Sequence, residues 1–179
     1  GGKVCREVVE FFCDEKHNTL VIQDKVTDLQ RALQIFCEPL CQRKNFTKLV
    51  LNNVALSDPL VPPIADVIAR NKSLQEVELK HNLIGTKGAQ ALAKALKSNN
   101  SLVALRLDHN QLGDDGTVQL SAGFADNKSI RRLSLAHNKI SDVGAKTFAE
   151  TIIKRNVAFP ALELADNVIS DKGAAAIAL

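Results

Sequence analysis

The sequence predicts an α/β fold: a right-handed solenoid with a parallel sheet on its concave face and helices on its convex face. Three observations lead there. The pattern apolar-x-x-apolar-x-apolar begins at Phe46, Leu74, Leu102, Ile130 and Phe159, at offsets of 28, 28, 28 and 29 residues. Its ninth position is asparagine in four copies of five (Asn82, Asn110, Asn138 and Asn167). Between copies lies a polar turn, then apolar residues at helical spacing. A period of this length marks supersecondary units that bury their apolar sides only against their neighbours. A strand–helix–strand crossover between parallel strands is right-handed.

The elements follow in chain order. Val4 to Phe12, with Val8, Phe11 and Phe12 apolar, reads as a helix. Leu20 to Gln23 reads as a degenerate strand, because Leu20 and Ile22 precede Leu49 and Leu51 by 29 residues. Thr27 to Cys41 supplies its helix, with Leu29, Leu33, Phe36, Cys37 and Leu40 on one side. Residues 1–45 are thus expected to form an N-terminal helical cap with a degenerate repeat, and residues 46–179 five repeats, the last truncated. At Val54 the first of these lacks its asparagine.

The unit that begins at Leu74 shows the grammar. Leu74, Val77 and Leu79 alternate with polar residues, which predicts a short strand with one buried face. Asn82 follows where the chain must turn, and its amide can bond backbone groups of adjoining coils, forming a ladder when repeated. Ile84 returns to the core. Gly85 to Gly88 reads as a turn, and Ala89, Leu92, Ala93 and Leu96 as a helix. The column Asp58, Thr86, Asp114, Asp142 and Asp171 is expected to cap the helix of its own repeat.

Composition narrows the function. A charge of +3 is too small and dispersed to imply nucleic-acid or membrane binding, and no run approaches an apolar span. The chain contains no Met and opens Gly-Gly, while Leu179 falls in mid-helix. The expectation is a fragment of a longer repeat protein. Cys5, Cys13, Cys37 and Cys41 all precede the repeats, without the C-x-x-C pairs of a zinc site. Reduced helix cysteines, a disulfide-stapled cap and metal binding remain open for them.

The string Asn-x-Ile/Leu-Gly/Ser-Asp-x-Gly-Ala, then Leu-Ala-x-x-Leu, then Asn-x-Ser-Leu, resembles the ribonuclease-inhibitor type of leucine-rich repeat. It is carried by Asn82 to Leu102, Asn110 to Ile130 and Asn138 to Phe148. The class also includes the sensing regions of nucleotide-binding immune receptors, the Ran GTPase-activating protein and tropomodulin-like actin-cap proteins. The resemblance implies a cytoplasmic, non-enzymatic scaffold that binds a protein partner. Two alternatives are a regulator of an enzyme, such as a GTPase-activating module, and a structural component of a cytoskeletal or ciliary assembly. The repeats lack the cysteines and acidity of ribonuclease inhibitors, which argues against that ligand.

Strand positions three, five, seven and eight point away from the core. They give a candidate docking face of Lys48, Glu76, Glu78, Lys80, Arg106, Asp108, His109, Arg132, Ser134, His137 and Glu163, with Arg106 and Arg132 as anchors. His81, His109 and His137 form a column at position eight. A column offers imidazoles in parallel, not converging on a metal. Ser134, His109 and Asp108 make no triad, since Ser134 and His109 stand roughly 10 Å apart along the strand direction at ~3.3 Å per residue. No catalytic residue, cofactor or metal is expected. The Asn-x-Ser sequons at Asn71, Asn99 and Asn127 share one repeat phase and follow from the consensus.

Overall fold

The computed structural model describes residues 11–12, 16–23, 28–155 and 161–177. Among the described residues six parallel strands form one sheet in chain order: β1 (Thr19–Gln23), β2 (Lys48–Asn52), β3 (Glu76–Glu78), β4 (Ala104–Arg106), β5 (Arg132–Ser134) and β6 (Ala161–Glu163). Helices α1 (Leu29–Gln42), α2 (Val61–Arg70), α3 (Thr86–Ser98), α4 (Gly113–Phe124), α5 (Asp142–Arg155) and α6 (Asp171–Ile177) alternate with them. The register follows the repeat, with Leu49 beside Val77, Val77 beside Leu105, Leu105 beside Leu133 and Leu133 beside Leu162. The degenerate strand joins in step, Leu20 pairing with Leu49 and Ile22 with Leu51. The expected helix at Val4 to Phe12 lies outside the described residues apart from Phe11 and Phe12, which are helical. Thr27, Phe159, Cys5 and Cys13 also lie outside them.

The core is the seam between the two layers. Leu49, Val77, Leu105 and Leu133 face Ile64, Leu92, Leu120 and Phe148, and all of these are buried. Strands sit about 4.8 Å apart, whereas packed helices need about 8–10 Å, so the stack bends with the sheet inside. Close approach of the helices needs small residues. A Cβ on Gly123 would lie 2.5 Å from the Ala93 Cα, which is why α3 and α4 tolerate only glycine there.

Buried polar ladders tie coil to coil. Asn110 Nδ2 donates to the carbonyls of Leu79, one repeat back, and Leu107, while its Oδ1 accepts from the Ile84 N–H. Asn82, Asn138 and Asn167 make the equivalent bonds. A second ladder runs at the helix exits. Asn71, Asn99 and Asn127 are 0–1% exposed. Each donates to the carbonyl that ends the helix of the preceding repeat: Leu40, Ile68 and Leu96. Their Oδ1 atoms accept N–H groups of the next strand's approach, such as Ser101 and Leu102. The three sequons therefore mark structural asparagines sealed from solvent.

The aspartate column departs from expectation. Three of its aspartates cap the helix of the following repeat. Asp58 accepts from the Gly85 and Lys87 N–H groups, Asp114 from Ser141 and Gly144, and Asp142 from Ser170 and Gly173. Asp114 and Asp142 sit within the first turn of their own helices, and Asp58 in a short 3-10 helix leading into α2, so their side chains project sideways to the next coil. Asp28 is different, capping its own α1 through the Arg31 N–H. The helices also begin earlier than expected: α3 starts at Thr86, with Gly88 inside its first turn. A Cβ on Gly88 would stand 2.7 Å from Asp58 Oδ1, and one on Gly144 2.6 Å from Asp114 Oδ1. These glycines make room for the incoming carboxylate. Thr86, which stands in the column in place of aspartate, makes no such bond to the next repeat. There the chain enters α4 through Gly113 in the left-handed region, φ 57°.

Candidate functional site

The residues expected to form the docking face lie on one surface, in rows set by the register. Row three reads Lys48, Glu76, Ala104, Arg132 and Ala161, and row five Val50, Glu78, Arg106, Ser134 and Glu163. Because neighbours in a row belong to adjacent strands, opposite charges there can meet.

They do so across β2 to β4. Lys48 Nζ donates to Glu78 Oε1 at 2.7 Å and lies 3.5 Å from Glu76. Arg106 reaches Glu76 at 3.2 Å and Glu78 at 3.7 Å. Asn52 donates to Glu78, and Lys80 pairs with Asp108 at 3.3 Å. Burial pushes the Glu78 carboxyl up, but Lys48, Asn52 and Arg106 outweigh it and hold it below the ordinary value. The Glu78 hydrogen bond leads in raising Lys48. Asp108, buried at 7% exposure, also accepts the Ser134 hydroxyl and the Ala136 N–H. Ser134 thus spends its proton on Asp108.

Across β5 and β6 the pattern stops. Arg132 is exposed, with alanines on both sides in its row, and it forms no ion pair among the described residues. Glu163 turns back to accept its own neighbour's N–H, from Ala165. A hollow of about 270 Å³ opens here, walled by Lys80, Arg106, Arg132, Ser134 and Glu163. A larger one, about 490 Å³, is a shallow gap on the convex side where alanines of α2 and α3 face each other. The concave hollow is the better candidate, because it holds Arg132, a guanidinium with no ion pair among the described residues, beside Ser134 and Glu163.

Beside these rows runs the histidine column. Its N–H groups donate to position-seven carbonyls of the next repeat, His81 to Asp108 and His109 to Ala136. Position eight requires a left-handed backbone. Asn53, His81, His109, His137 and Asp166 have φ between 53° and 57°. Asparagine, aspartate and histidine are the non-glycine residues that enter this region most readily, so the turn itself selects this short menu. The rings stack face to face, His81 on His109 at 4.1 Å and His109 on His137 at 4.0 Å between centroids. His137 Nε2 lies 2.9 Å from Asp166 Oδ2. Burial, then the two flanking imidazoles, hold His109 below the usual histidine range.

Among the described residues one cluster has ligand atoms close together, Glu38, Cys41 and Asp66 on the convex side. Arg70 already fills it, with a bidentate pair to Glu38 at 2.7 Å and a bond to Asp66 at 3.0 Å. Cys37 and Cys41 are free and buried, and burial pushes the Cys37 thiol up to about 12. Such a thiol is inert.

An α/β solenoid with a parallel inner sheet and asparagine ladders defines a class built for recognition surfaces. The family profile described as "Leucine Rich repeat" matches residues 70–93, 98–121, 126–149 and 161–178. The chain belongs to the leucine-rich repeat family. Two solved structures share the fold. Leiomodin-1 Actin-Binding Site 2 aligns at TM-score 0.70 and 19% identity, over 87% of this chain and 90% of that one. The tropomodulin C-terminal domain of Caenorhabditis elegans aligns at TM-score 0.61 and 17% identity, over 86% and 93%. No curated protein sequence matches the chain. No helix among the described residues is long and apolar enough to cross a membrane.

Proposed function

We propose that the chain is a cytoplasmic, non-enzymatic docking scaffold that holds a protein partner against its concave sheet, centred on Arg132, Ser134 and Glu163. The observation that carries this reading is the uneven pairing of charge. Lys48, Glu76, Glu78, Lys80, Arg106 and Asp108 neutralise one another, whereas Arg132 has no counter-charge among the described residues. A partner carboxylate can bond Arg132 without first breaking an internal pair, and a partner cation can take Glu163. The closed network beside them acts as a rigid wall. Ladder-bound strands leave little side-chain or loop motion to freeze, which favours binding.

Affinity capture from lysate tests it with three baits: the native chain, Arg132→Glu, and Lys94→Glu on the convex side. The expected result is a stoichiometric partner lost with Arg132→Glu and kept with Lys94→Glu. The reverse pattern places docking on the helices.

A cytoskeletal role is a second reading, favoured by one observation. The neighbour at TM-score 0.70 is itself an actin-binding site. Co-sedimentation with filamentous actin tests it. Pelleting with filaments at micromolar concentration supports the reading, and a chain that stays in the supernatant removes it.

A further inference from the structure

We infer that the imidazole edges of His81, His109 and His137 form a docking strip for an extended acidic peptide segment of the partner, engaged as the column takes up protons. This rests on the concave docking reading and adds the partner's chemistry and its control. The stacking geometry decides which part of each ring is on offer. Both faces of His109 are covered by its neighbours at 4.0 and 4.1 Å, so an aromatic or guanidinium group cannot stack upon it. The ring edges remain, all three histidines being exposed. Edges of parallel rings present N–H groups side by side, and these suit carboxylate oxygens.

The spacing fits an extended chain. The outer rings stand about twice the single stacking distance apart, and alternate side chains on an extended backbone repeat at roughly 7 Å. Two carboxylates two residues apart can therefore reach His81 and His137 while the chain crosses His109.

The surrounding charges explain the dependence on protons. Asp108, the carboxylate beside His109, is already held by Lys80, Ser134 and the Ala136 N–H. Asp166 faces His137 at the end of the column. Protonating the three rings therefore creates a line of positive charge with Asp166 to balance it, since Lys80 and Asp108 already neutralise each other. Burial, and then the like charges about 4 Å away on either side, resist this at His109. A row of carboxylates laid across the column removes that resistance, and binding and protonation reinforce each other.

Fluorescence anisotropy of a labelled hexaglutamate peptide tests the strip, with the native chain, the triple variant H81N/H109N/H137N and Arg132→Glu. Asparagine is the replacement because Asn53 holds the same backbone position at φ 57°. The expected result is binding about tenfold tighter at about pH 5.5 than at about pH 7.5 for the native chain, with that difference abolished in the triple variant. Circular dichroism verifies that the triple variant is folded. If it is not, the single variant His109→Asn replaces it, with a reduced pH effect expected. Arg132→Glu is expected to keep the pH effect, which separates failure of the strip from failure of the Arg132 site. An unchanged pH effect in the folded variants overturns the proposal, as does absence of native binding at the lower pH.

Discussion

Across β2 to β4 each long charged side chain on the concave face meets its counter-charge on a neighbouring strand, whereas across β5 and β6 Arg132 stands between alanines and Glu163 beside Ser134, and neither forms an ion pair among the described residues. The two regions share backbone, register and ladders. They differ in what occupies rows three and five from one repeat to the next. Alternating sign along a row closes a network, and an alanine interrupts it. In a solenoid, then, the 28-residue neighbour decides whether a charged side chain stabilises the fold or stays available to a partner.

The largest expected effect concerns the ladder under both regions. Asn110 is 5% exposed and serves four backbone groups. Its replacement by alanine leaves them without partners and is expected to cost about 3 kcal/mol. Asn167, half-buried, makes equivalent bonds nearer water, and the same change there is expected to cost about 1 kcal/mol. Urea unfolding of both variants reads the difference. Equal losses would mean that burial does not set the worth of the ladder.

Next comes the inter-repeat cap. Asp114→Ala is expected to destabilise by about 1–2 kcal/mol. Burial raises this carboxyl, but the Ser141 hydroxyl and the Ser141 and Gly144 N–H groups outweigh it, so its folded value lies below the ordinary one. Stability from a depressed carboxyl is present above its unfolded value and disappears as pH falls through the folded one. Thermal melts from neutral pH to about pH 3 should show the native chain losing more stability than Asp114→Ala.

Smaller still is the ion network. Glu78→Gln leaves Lys48 and Arg106 short of a counter-charge and is expected to cost about 1 kcal/mol, less in high salt. Arg132→Ala, with no pair to break, is expected to change stability by under about 0.5 kcal/mol. The contrast sharpens the comparison, and equal effects would erase it. The smallest effect belongs to His109→Asn, expected to be near neutral at pH 7. A depressed histidine makes the folded state weaker as pH falls below the unfolded histidine value, because the unfolded chain binds the proton more readily. The variant should therefore flatten the decline in melting temperature just below neutral pH.

Much of the fold was legible in the residues. Apolar spacing at Leu74, Val77 and Leu79 fixed the strands, and the 29-residue step from Leu20 to Leu49 located β1. The rest depended on contacts between repeats. Asp114 reads as an ordinary helix cap until the next coil places Ser141 and Gly144 against it. The signal was present, since Asp58 and Gly88, Asp114 and Gly144, and Asp142 and Gly173 recur 30 or 31 residues apart. Asn71, Asn99 and Asn127 looked like sequons because their burial is a property of the stack. The site was legible as a set of exposed positions but not as two regions. Separating Arg106 from Arg132 requires writing the rows out in register.

The most direct measurement is photo-crosslinking with a photoreactive residue placed in turn at positions 132, 163, 90 and 94, each in the presence of the partner. The account predicts adducts from positions 132 and 163 on the concave sheet and none from 90 and 94 on α3. Adducts confined to positions 90 and 94 would contradict it.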